Sequence, residues 1–232
     1  MRVAFLLTGF YRSFKETQAA YTHWANYYGA DVYISTWDRD EWAKDKNNYT
    51  RTIKQQDFAD FVSSINLGSL SMHDLEAYNH GRVPFYQNPR LNDVMIMDAR
   101  AREHGTFWAN RLRDQWYLVA KGWEHIFASA RDYDVVFRSR LDIDVRNLPL
   151  YNANCIVIPK DIGGWDYTDH MAFGDFKSME KYCNFYYNMQ TFYDAYNIDP
   201  THAVEFPKKY MTVAEPRCNY IIDQRISYDI IK

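Results

Sequence analysis

Val3-Ala4-Phe5-Leu6-Leu7-Thr8-Gly9 decides the fold. Five apolar residues run without a polar partner between them, and Thr-Gly ends the run. An unbroken run of this length reads as a strand covered on both faces, the pattern of a central parallel strand. It is too short for a signal peptide, and no small-residue cleavage site follows it. Downstream, Ser13 and Glu16 are spaced as a capping box, which predicts a helix to about Tyr28 with Gly29 as its stop. Then Ala30-Asp31-Val32-Tyr33-Ile34-Ser35-Thr36, β-branched and aromatic, reads as a second strand. Strand, helix and strand make a right-handed βαβ unit.

The pattern continues outward. The stretch 37–51 is polar and reads as a surface loop. Residues 57–65 read as helix, 69–73 as strand and 81–89 as irregular chain. One long helix or two is expected over 93–130. There Trp108, Leu112, Trp116, Val119, Trp123 and Phe127 form an apolar stripe best explained by packing. Strands are expected over 133–138, 155–159 and 171–174, and helices over 176–196 and 212–223, the latter with Glu215 as its capping acid. A closing strand is expected over 226–231. This alternation predicts an α/β fold: a single domain over 1–232 with a mostly parallel central sheet flanked by helices.

Composition narrows the function. The net charge of −3 lacks the basic field that nucleic acid or an anionic membrane demands. No run of about 18 apolar residues is present, so no transmembrane segment is expected. Cys155, Cys183 and Cys218 are scattered and odd in number, which argues against a zinc site or disulfide framework and for a cytoplasmic protein. Aromatic residues are 18% of the chain, enough to supply both core and ring-stacking surface.

In open α/β sheets ligands sit beyond the carboxyl ends of the strands, and that rule ranks the candidate motifs. Of three Asp-x-Asp triplets, Asp132-Tyr133-Asp134 precedes a strand and falls at the wrong end. Asp38-Arg39-Asp40 follows a strand but enters the polar loop. Asp142-Ile143-Asp144 follows Arg138-Ser139-Arg140-Leu141 at a strand exit. In extended chain Asp142 and Asp144 share a face and can hold a divalent cation bridging a diphosphate, with Arg138 and Arg140 pairing phosphates or these acids. The plain alternative is a salt-bridge cluster. The exit Thr8-Gly9-Phe10-Tyr11-Arg12 offers a close-approach glycine, a hydroxyl and a guanidinium, but neither a P-loop nor a dinucleotide fingerprint. It suits a nucleotide or merely a tight turn. In Gly163-Gly164-Trp165-Asp166-Tyr167-Thr168-Asp169-His170, two aromatics can stack on a sugar, Asp169 can deprotonate an acceptor hydroxyl, and His170 can ligate metal or donate a hydrogen bond.

Taken in order, Arg2 to Arg12, Asp31-Val32-Tyr33-Ile34-Ser35-Thr36-Trp37-Asp38, Tyr133 to Asp142 and Asp169-His170-Met171-Ala172-Phe173-Gly174 resemble the WavE-type, lipopolysaccharide-synthesis-like glycosyltransferases. The resemblance runs from Arg2 to the closing strand, except over 45–92. It implies a GT-A-like fold, with residues 1–150 as the nucleotide-sugar-binding half and 151–232 as the acceptor side. It implies transfer of a sugar from a UDP- or GDP-linked donor to a hydroxyl of a glycan or glycoconjugate, assisted by Mn²⁺ or Mg²⁺. Donor contacts fall to Thr8, Gly9, Arg12, Arg138, Arg140 and Asp142, the metal to Asp142, Asp144 and His170, and acceptor activation to Asp169. A non-catalytic sugar- or nucleotide-binding module is one alternative reading. A metal-dependent phosphoesterase or nucleotidyltransferase is another.

Overall fold

The computed structural model describes residues 1–41, 50–81, 99–160, 168–196, 208, 210–214 and 220–231. In chain order the strands are β1 (Val3–Gly9), β2 (Asp31–Trp37), β3 (Arg39–Glu41), β4 (Thr50–Thr52), β5 (Asn66–His73), β6 (Val135–Arg140), β7 (Ile143–Asn147), β8 (Ile156–Pro159), β9 (Met171–Gly174), β10 (Tyr220–Asp223) and β11 (Ser227–Ile230). The α-helices are α1 (Phe14–Tyr28), α2 (Ala59–Ser63), α3 (Leu75–Gly81), α4 (Ala99–Ala128), α5 (Phe176–Cys183) and α6 (Phe185–Tyr196).

Seven strands form the central sheet in the order β10-β8-β9-β6-β1-β2-β5. All its neighbours pair in parallel except β9, which runs antiparallel to both β6 and β8. The mixed α/β architecture read from the sequence is therefore the one observed. β1 lies between two parallel partners, as its continuous apolar run demands. Phe5, Leu6 and Leu7 are fully buried, each stabilising the fold by about 1.5–3 kcal/mol. Successive β1 residues face opposite cores. Val3, Phe5 and Leu7 join the layer holding α1, β7 and β11, whereas Ala4 and Leu6 join the layer holding α4, α5 and α6.

Local readings fare unevenly. α1 ends as expected at Gly29, whose φ of 59° is the left-handed cap conformation that glycine adopts without strain. Ser13 precedes α1, but its hydroxyl donates to Ile231 O rather than closing a capping box. Trp37 is fully buried at the end of β2 rather than in a surface loop, and β3 and β4 form an antiparallel pair beyond it. The stripe on α4 holds at Leu112, Trp116, Val119 and Trp123; Phe127 is exposed, Ile126 takes its place in the core, and the Trp108 side chain lies outside the described residues. The helix expected over 176–196 is two, parted at Asn184. The helix expected over 212–223 is corrected to a π-turn at Tyr210–Ala214 and strand β10, with 215–219 outside the described residues. β11 closes the chain as expected, but on β7 instead of the main sheet.

The order of strands creates one special place. From β1 the chain goes to β2 on one side; after α4 it returns to β6 on the other. Connections leave β1 and β6 in opposite directions, so a crevice is expected beyond their carboxyl ends. Because β9 is antiparallel, its incoming segment, Thr168-Asp169-His170, reaches the same edge.

Candidate functional site at the carboxyl edge of β1 and β6

Three backbone segments are tied together at this edge. Leu141 N donates to Thr8 O at 2.9 Å, and Arg140 N donates to His170 O at 3.1 Å. The Thr8–Gly9 exit, the Arg140–Asp142 turn and the segment before β9 therefore form one unit. Gly9 has φ 123°, a conformation side chains disfavour, and a Cβ there would meet Leu141 N at 3.8 Å. Its carbonyl accepts from Thr36 Oγ1 at 2.8 Å. Thr8 Oγ1 is buried with no hydrogen-bond partner among the described residues.

Arg140 folds back onto Asp142. Its Nε donates to Oδ1 at 2.9 Å and its Nη2 to Oδ2 at 2.5 Å, a bidentate pair on a carboxylate only 6% exposed. Beneath it, Tyr21 on α1 donates to Arg140 O and meets Ser139 Oγ at 2.9 Å. Arg138 is fully buried. Its guanidinium lies 5.6 Å from the Trp116 ring centroid and donates through Nη1 to Asp169 O. Arg138, expected from the sequence at the donor, here braces the segment carrying Asp169 through Nη1.

Asp169 is buried, and Gln115 on α4 donates to its Oδ2 at 2.7 Å. His170 Nε2 lies 3.8 Å from Asp169 Oδ1, and His170 Nδ1 is 2.9 Å from the Tyr228 hydroxyl. Burial pushes the Asp169 carboxyl up, but His170, Arg140, Arg138 and the Gln115 hydrogen bond outweigh it and hold the pKa below the ordinary aspartate value. Asp169 is consequently ionised at neutral pH, the state a proton acceptor needs.

The divalent-cation set Asp142, Asp144 and His170 does not fit the arrangement. Same-face placement of the two aspartates assumed extended chain, but the chain turns at Leu141 and Asp142 before β7 begins. Both Asp142 oxygens are taken by Arg140. Asp144 lies on β7 opposite Asp229, with Arg146 Nε at 4.0 Å. Among the described residues no group of three or more His, Cys, Asp or Glu side chains is placed to hold a metal ion.

The triplet Asp38-Arg39-Asp40 proves architectural. Asp38 Oδ1 accepts from Leu75 N at 3.1 Å at the start of α3. Asp40 Oδ1 accepts from Arg12 N at 2.9 Å, which holds the Gly9–Arg12 turn; burial raises the Asp40 carboxyl, opposed by Arg12. The Arg12 guanidinium lies 5.1 Å from the Phe10 ring centroid. Sequence reasoning missed Gln115 and Tyr228, and placed Asp40 in a polar loop. Gln115 had a signal in principle, since it precedes Trp116 on the stripe that faces the sheet. Asp134, set aside at the wrong end, indeed accepts from Arg2 N at the amino edge. The loop 163–167, with Trp165 and Tyr167, lies outside the described residues.

No family model matches the chain, and no curated protein matches it. Solved structures do. One is a glycosyltransferase involved in the glycosylation of the major capsid of PBCV-1, with TM-score 0.45 and 10% identity, covering 97% of this chain and 83% of that chain. Among the described residues no helix is long and apolar enough to cross a membrane.

Proposed function

We propose that the chain is a glycosyltransferase that takes a sugar from a nucleoside-diphosphate donor and passes it to a hydroxyl acceptor. The observation that supports this reading best is the meeting of the Gly9 exit, Arg140 and the buried Asp169 carboxyl at the β1–β6 switch point. There the Thr8–Gly9 turn would meet the nucleotide, and Arg12 and Arg140 would supply positive charge to the departing diphosphate. Asp169 would take the acceptor proton; attack opposite the leaving group would then invert the anomeric centre. Residues 1–150 would supply the donor side and 151–232 the acceptor side. Because the Asp142, Asp144 and His170 set does not fit a cation, the charge is assigned to guanidinium groups.

A panel of UDP-glucose, UDP-galactose and GDP-mannose tests the reading by thermal shift and by release of UDP or GDP. The expected result is a raised unfolding temperature and turnover with one donor. Asp169→Asn should keep the shift while losing turnover by about 100-fold or more. No shift with any donor, or full turnover in Asp169→Asn, contradicts the proposal. A shift with no turnover in the unaltered protein indicates a binding module.

A further inference from the structure

Two adjacent residues of α4 bear on Asp169, Gln115 directly and Trp116 through Arg138. Gln115 donates to Asp169 Oδ2 at 2.7 Å. Trp116, fully buried, has the Arg138 guanidinium 5.6 Å from its ring centroid, and that guanidinium donates to the Asp169 backbone carbonyl. A carboxylate held at side chain and backbone together has little freedom to rotate, and the Gln115 amide takes one of its two oxygens. The other, Oδ1, is left toward His170, which Tyr228 holds from β11. A glutamine facing the sheet next to a buried tryptophan could instead have turned to solvent; here its donor is spent on the carboxylate of the segment entering β9.

We propose that Gln115 is a positioning residue: its amide fixes which oxygen of Asp169 is presented for proton transfer. The inference rests on Asp169 serving as the proton acceptor in the reading above. Misplacing a reacting group by about 1 Å costs roughly 100-fold in rate, so loss of this contact should appear in turnover rather than in donor binding.

The experiment has two arms. In the first, Gln115→Met removes the donor at nearly constant length. UDP or GDP release from the donor the protein accepts should fall about 10- to 100-fold in kcat with the donor KM unchanged. In the second, Gln115→Glu sets two carboxylates against each other and should lower the unfolding temperature. Combining it with Asp169→Asn turns the hydrogen bond round, with the new amide at position 169 donating to the new carboxylate at position 115. The pair should restore the unfolding temperature without restoring turnover. Gln115→Met with unaltered kcat, or no recovery in the Gln115→Glu, Asp169→Asn pair, overturns the inference. An unaltered protein that releases no nucleotide from any donor, while the pair still recovers its unfolding temperature, removes the transferase reading and reduces Gln115 to a structural clamp.

Discussion

His73 shows how a residue read only as the end of a strand acquires a chemical property from its neighbours. It ends β5 with Nε2 3.0 Å from Ser35 Oγ, facing the rings of Trp37 and Tyr117. Burial pushes its pKa down to about 4, aided by the charges of His125 and Lys121 and opposed by Glu124. In the unfolded chain it titrates near 6.5, so between about pH 6.5 and 4 the unfolded state binds the extra proton. Stability attributable to His73 is therefore full above about pH 6.5, falls as pH drops to about 4, and is level below that. Partial exposure discounts the effect to on the order of 1–2 kcal/mol. Urea unfolding of His73→Gln against the unaltered protein should show a shallower loss between those pH values; parallel curves contradict it. At this scale the sequence was legible where a residue's position in the fold follows from its place along the chain. Gly9 at a strand exit and Asp169 before one are such cases. It was illegible where the role depends on a partner far away in sequence, as for Gln115, 54 residues from Asp169, or Asp40, 28 residues from Arg12. Pairs this distant meet only through the sheet order, which no local spacing reports.

Elements were legible in proportion to how far their own residues decide them. β1, α1 and β2 carry a continuous apolar run, a glycine stop and a β-branched run, and they appear within a residue or two of expectation. The stretch over 176–196 has apolar residues at helical spacing throughout, so its break at Asn184 was invisible: periodicity survives a one-residue turn. Strand β10 was mistaken for helix because its Ile221 and Ile222 are exposed on a sheet edge, which removes the buried pattern that marks a strand. β9 illustrates a constraint of a different kind. It is only four residues long, yet it is wedged between β6 and β8, and a Cβ on Gly174 would lie 2.5 Å from Cys155 O. That oxygen is backbone and cannot swing aside. Gly174→Ala is expected to cost about 1–3 kcal/mol, read as a lower urea midpoint at constant slope. A change within about 0.5 kcal/mol would show that β8 and β9 can part freely.

For the whole molecule, the strand order does what no motif does alone. It sets β1 beside β6, sends their connections apart, and brings the antiparallel β9 to deliver Asp169 to the same edge. Arg140 and Asp142 were expected at this edge and stand there, but paired bidentately with each other, so Asp142 faces a guanidinium and not a divalent cation. The turn at Leu141–Asp142 accounts for the difference, since it breaks the extended geometry on which the paired-acid reading depended. A crystal structure grown with the nucleotide sugar that raises the unfolding temperature most is the direct test. The expected density places the diphosphate within hydrogen-bond reach of the Thr8–Gly9 turn and Arg140, with the sugar toward Asp169. Density at the amino edge near Asp134, or a donor with no atom near those groups, would contradict the assignment of the β1–β6 switch point as the donor site.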